Sequence, residues 1–132
     1  MVATKKDKKK KEIVTWVYKL DVKGKAFYVG QTGSLQNREK SHREAISKKK
    51  HKCKQLNNIP VDEVDFIPLA KINTDCSLIV MLVESIFNVL ESPYNSIVWI
   101  GFRASVTFKR CDKKTAQALL DCLISIRMVE IL

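Results

Sequence analysis

Two tyrosines, an arginine and a histidine lie close together in the sequence, Tyr18, Tyr28, Arg38 and His42. Phenol, guanidinium and imidazole in one place suit chemistry on a phosphodiester. A guanidinium matches phosphate charge and geometry, and a phenol or imidazole can move a proton. Directly after them comes a dense basic loop, KKKHKCK at 48–54. Lys48, Lys49, Lys50, His51, Lys52 and Lys54 read there as a phosphate-binding lip, against the blander reading of a solvated surface. The same stretch lacks a metal ligand. Glu84, alone in the apolar run Leu78–Leu90, supplies one. A buried carboxylate needs compensation from a cation, an arginine or a water-filled cleft. Glu84 therefore reads either as a metal ligand or as a structural ion pair, for instance with Arg38.

The elements that must position these groups can be read from pattern. Residues 13–21 (IVTWVYKLD) are β-branched and aromatic and predict a strand. Gly24 marks a turn, and Ala26–Gly30 returns as an antiparallel partner. Tyr18 and Tyr28 then lie near each other. Gly30 and Gly33 bracket a place where backbone can approach a ligand closely. Ser34 caps a helix running to about Lys48. On it Leu35, Arg38, His42 and Ala45 share a face with Ile46 alongside, and that face is expected to meet the hairpin. Glu39, Lys40, Arg43 and Glu44 then point away. An inward arginine is costly unless paired, so the alternative to a functional Arg38 and His42 is an ion-paired arginine and a satisfied core histidine.

Farther on, 55–60 form a short helical turn and 64–72 a third strand, with Pro68 at an edge or bulge. Thr74 or Asp75 caps a helix from Cys76 to Leu90 or Glu91, apolar on most sides. Residues 96–110 hold one or two apolar stretches, and 112–130 read as a helix capped by Asp112. The lysine-rich residues 1–12 form a solvated basic tail.

Composition limits the function classes. With 132 residues, 45% of them hydrophobic, the chain can build one core and is not a disordered segment. A net charge of +10 points to a polyanionic partner. The charge is concentrated: residues 19–54 hold eleven basic and three acidic side chains, and 55–102 hold one basic and six acidic. Cys53, Cys76, Cys111 and Cys122 have no zinc-binding or C-x-x-C spacing. With no secretory signal pattern, they read as reduced thiols of an intracellular protein, cytoplasmic or nuclear. The run Leu78–Leu90 is too short to span a bilayer.

The constellation resembles the GIY-YIG nuclease family. Trp16-Val17-Tyr18 stands for the first signature and Tyr28-Val29-Gly30 for the second, with the tyrosines ten positions apart. Arg38 follows Gly30 by eight residues, and His42 follows Arg38 by four. Glu84 matches the family's metal-binding glutamate, and Asn95 its asparagine near the end of the module. Trp16 departs from the pattern, standing where the family has glycine.

The resemblance covers about residues 14–97. It implies an α+β fold, a small three-stranded antiparallel sheet flanked by helices. The nuclease module would span 13–97, and 98–132 would be a C-terminal extension packed on it and ending in a helix. The implied activity is hydrolysis of DNA phosphodiesters with Mg²⁺ or Mn²⁺ held by Glu84. Tyr18 is the implied general base, with Tyr28 and His42 as alternatives. Arg38 would stabilise the transition state, and Asn95 would position its neighbours. No sequence-reading motif accompanies the module, which favours branched or otherwise structured DNA over a read sequence. Dimer formation stays open. The competing function is a non-catalytic, basic nucleic-acid-binding module of the same fold.

Overall fold

The computed structural model describes residues 14–91 and 112–132. The basic tail 1–12, Asn95 and the apolar stretches of 96–110 lie outside the described residues.

Strands β1 (Thr15–Val22) and β2 (Lys25–Thr32) form the expected hairpin. Lys23 and Gly24, at φ 52° and 82°, make the two-residue turn. Positive φ at both central positions is what a turn matched to the strand twist requires. Strand β3 (Asp65–Ile72) pairs antiparallel with β1, and β4 (Val129–Ile131) pairs antiparallel with β3. The sheet thus has four strands, ordered β2-β1-β3-β4, rather than three. Pro68, which has no N–H to donate, sits at a register shift opposite Tyr18. On its other side β4 pairs only with Ala70–Ile72, so the proline breaks no ladder there.

Alternation along β1 sends side chains to both faces. Val17 joins Val29, Ala70, Ile72 and Val129 in a core with helices α2 (Ser77–Glu91) and α3 (Lys113–Ser125). Leu20 faces the other way, into a second core with Ile46 of helix α1 (Leu35–Ser47), Leu56, Val64 and Phe66. Short 3₁₀ turns at Lys54–Asn58 and Val61–Glu63 close that side. The architecture is α+β, with helices on both faces of a central antiparallel sheet. No described helix is long and apolar enough to cross a membrane.

Ser34 caps α1 by accepting from the Asn37 amide at 3.4 Å, and Asp112 caps α3 by accepting from the Thr115 amide at 2.7 Å. The third helix ends at Ser125, not at 130. Arg127 takes a left-handed φ of 64°, and the Met128 amide bonds back to Leu123 at 3.0 Å. The chain then turns into β4.

Candidate active site

The site begins with a missing side chain. Gly30 faces Tyr18 across the hairpin, on the α1 side of the sheet. A Cβ on Gly30 would lie 2.5 Å from Tyr18 Oη, 2.8 Å from its Cζ and 3.0 Å from Tyr28 Cε2. The bare backbone therefore makes room for both phenols to converge above it. The ligand that approaches Gly30 is the protein's own tyrosine. Phe66 stacks on Tyr18 at 4.6 Å between ring centroids and holds it from the other side. Tyr18 is fully buried, with 0% of its surface exposed, whereas Tyr28 is partly exposed.

Helix α1 adds His42, 8% exposed, with Nε2 2.6 Å from Tyr18 Oη. Its Nδ1 lies 2.7 Å from Nε2 of His51. The other nitrogen of His51, Nδ1, accepts from the Cys53 amide at 2.9 Å. Asn57 clamps the backbone of His51. Its Oδ1 accepts from the His51 amide at 2.8 Å and its Nδ2 donates to the His51 carbonyl at 3.1 Å. Tyr28 presents its ring edge-on to both imidazoles, at 5.2 Å from His42 and 5.5 Å from His51.

Two expectations change here. His51, assigned to the DNA-binding lip with the lysines, is 6% exposed and turned inward. The loop in fact alternates: Lys50, Lys52 and Lys54 are exposed, while His51 is buried and Cys53 partly so. Such period-two alternation was visible in K-H-K-C-K and is the signal that places His51 inside. Lys48 and Lys49 are exposed as well.

Arg38, expected to point inward, is exposed. The inward stripe of α1 is centred on His42 and Ile46, one step round from Arg38. Arg43, expected to point away, is instead partly buried. It pairs with Glu39 at 2.9 Å and donates to the carbonyls of Val61 and Val64 at 3.1 and 3.0 Å. Those bonds satisfy it structurally. Arg38 is still close enough for its charge to act on Tyr18, Tyr28 and His42.

Helix α2 contributes Glu84, partly buried, whose charge reaches both tyrosines. Burial pushes the Tyr18 phenol well above its ordinary value, and Tyr28 and Glu84 add to the rise against Arg38. Burial also raises Tyr28, helped by Glu84 and opposed by Arg38 and by a hydrogen bond from Tyr18. Burial, then His51, Arg38 and Lys52, lowers His42 to about 4. Burial and Lys52 lower His51. Both imidazoles are therefore neutral at pH 7.

These shifts predict acid sensitivity. The unfolded chain binds a proton at His42 near 6.5, and the folded protein only near 4. The stability due to neutral His42 is whole above the unfolded value and is lost as pH falls through that window. His51 acts in the same direction. Urea midpoints should fall between about pH 7 and about pH 4.5, and His42→Phe should flatten that fall. An equally steep loss in His42→Phe would place the sensitivity elsewhere.

No group of three or more His, Cys, Asp or Glu side chains is arranged around a common point among the described residues. Both imidazoles are engaged with each other and with Tyr18, which removes them as ligands. A carboxylate beside phenols fits a hard cation such as Mg²⁺, which keeps waters and takes one or two carboxylates plus substrate phosphate. It does not fit zinc. The chain matches no protein-family model, no curated protein and no solved structure.

Proposed function

We propose that this chain is a metal-dependent DNA endonuclease of the GIY-YIG type, in which water attacks a phosphodiester and the 3′ oxygen leaves. One observation carries the reading. Tyr18, Tyr28 and His42, drawn from two strands and a helix, pack with ring centroids 5.2 to 6.3 Å apart, and the charges of Arg38 and Glu84 reach both tyrosines. Exposed lysines 48, 49, 50, 52 and 54 lie on the loop beside it, and Lys52 acts directly on both histidines. The signature spacing of the sequence supports the same family.

In this reading the lysines hold the DNA backbone and give binding a steep salt dependence. Arg38, exposed at the rim, meets the scissile phosphate and stabilises the charge that builds on it. A divalent cation, when bound at Glu84, would supply Lewis-acid charge to that phosphate. Attack forms a bond from water oxygen to phosphorus and breaks the bond to the 3′ oxygen. The water's proton passes to a tyrosine oxygen of the Tyr18–Tyr28 pair that has first given its own proton to solvent, against the rise that burial imposes, and the 3′ oxygen takes a proton from solvent. Neutral His42 orients the pair.

The test is nicking of supercoiled plasmid, with branched and single-stranded DNA as further substrates. Cleavage should need Mg²⁺ and should be lost in Arg38→Ala and Glu84→Ala while both variants stay folded. Losing Arg38 should cost about 10²–10³ in rate. No cleavage of any substrate would favour a non-catalytic binding module. Cleavage that survives both substitutions would remove the proposed site.

A further inference from the structure

Hydrogen bonds around the tyrosine pair have only one allowed direction. A backbone N–H can donate and cannot accept, so the Cys53 amide at 2.9 Å requires a lone pair on His51 Nδ1. Neutral His51 then carries its proton on Nε2 and donates it to His42 Nδ1 at 2.7 Å. With Nδ1 accepting, His42 carries its own proton on Nε2 and donates it to Tyr18 Oη at 2.6 Å. The Tyr18 oxygen is thus an acceptor from His42, and its hydroxyl proton is free for a second partner. The neighbouring Tyr28 hydroxyl fits. The two phenols converge over Gly30, with Tyr18 Oη and Tyr28 Cε2 both packed against that position. Their ring centroids lie 6.3 Å apart, which leaves the Tyr28 oxygen as the neighbouring acceptor for that proton.

We propose that the Cys53 amide, His51, His42 and Tyr18 form a one-way chain of donors ending on the Tyr28 oxygen, so that Tyr28, rather than Tyr18 or His42, is the basic atom that meets water. Reversing the chain would place a proton on His51 Nδ1, facing the Cys53 N–H across a hydrogen-bond distance. Two donors would then oppose each other in a buried site, a costly arrangement. His42 has no free lone pair: one nitrogen bears the proton and the other accepts from His51. That removes it as a base. Tyr18 is sealed from solvent, so no water reaches its oxygen, whereas Tyr28 is partly exposed. His51 is a positioning residue, clamped by Asn57 and acting through His42 and Tyr18. Chemically, Tyr28 first gives its own proton to solvent, against the rise that burial imposes. The phenolate then takes the proton from the attacking water as the new oxygen–phosphorus bond forms and the bond to the 3′ oxygen breaks, and later returns it to solvent.

The role of Tyr28 as base rests on the endonuclease reading, but the order of donors does not. Nitrogen NMR of the full chain at about pH 7 decides the order. Both His42 and His51 should be neutral with the proton on Nε2, and a proton on Nδ1 of either would overturn the chain. In His51→Ala, if folded, His42 should show both tautomers and titrate nearer its ordinary value. A His42 unchanged by that substitution would overturn the role of His51. Carbon NMR of the tyrosine rings should show Tyr28 ionising before Tyr18, and the reverse order also counts against the proposal. For cleavage, Tyr28→Phe should lose about 10²–10⁴ in rate, the worth of a general base. Tyr18→Phe should lose only about tenfold, the worth of one hydrogen bond. If Tyr18→Phe loses more than Tyr28→Phe, Tyr18 is the base. A chain that cuts no DNA yet has these tautomers and this ionisation order keeps the donor chain and loses the endonuclease reading.

Discussion

Glu84→Gln should lose Mg²⁺-dependent cleavage by about 10²–10³ or more, yet leave the protein folded with tyrosines that ionise more easily. The substitution keeps shape and removes charge. Mg²⁺ binds carboxylate and water far better than a neutral amide, so the cation should no longer be held. The carboxylate also acts on Tyr28, where it is the largest cause of the raised value after burial, and more weakly on Tyr18. Without it, Arg38 is left to favour the phenolates, and both should titrate at lower pH in metal-free buffer. The three readouts separate the readings of Glu84. A metal ligand predicts lost cleavage, a small change in urea midpoint and a downward tyrosine shift by ultraviolet titration. A purely structural ion-pair partner predicts a stability loss of about 3–5 kcal/mol, the cost of breaking a buried pair. Unchanged tyrosine titration would mean that Glu84 does not face the pair.

Much of the fold was legible because its determinants are local. Turn residues at Lys23-Gly24, the Ser34 cap and the near-uniform apolar character of α2 each act within a few positions. What failed depends on long-range geometry or on unusual local chemistry. The strand β4 was hidden because helix α3 stops on a left-handed Arg127 where glycine is the usual signal. Helix α1 ends the same way, on Lys49 at φ 58°. Arg38 was placed inward because four residues defined the helix face too loosely. A stripe shifted by one step buries His42 and Ile46 and moves Arg38 to the rim. That shift leaves the guanidinium in solvent, where it needs no partner, as a buried arginine would. That Tyr18, Tyr28 and His42 lie near one another was legible from the hairpin and the helix face. His51 carried a signal too, the alternation of K-H-K-C-K, but the density of lysines around it outweighed that signal.

Gly30→Ala should destabilise the protein by about 2–4 kcal/mol and disable the site, although it adds a single methyl group. An alanine is ordinarily well tolerated in an extended strand, so backbone preference gives no reason for the loss. The reason is the tyrosine. The new Cβ would overlap Tyr18 Oη and Cζ, at 2.5 and 2.8 Å. A long side chain on the surface would swing away at little cost. Tyr18 has nowhere to swing. It is stacked on Phe66, tied to His42 at 2.6 Å and wholly buried. Moving it breaks the bond from His42 and opens a gap beside Phe66, and moving the strand disturbs the pairing of β1 with β2. The double-mutant cycle with Tyr18→Ala is the test. With the ring gone, the methyl has space, and Gly30→Ala should cost little in the Tyr18→Ala background. Urea unfolding of the four proteins gives the coupling. Equal costs of Gly30→Ala in both backgrounds would mean that the glycine is there for the backbone. A large coupling would mean that it is there for the phenol, and that Gly30 works by seating Tyr18.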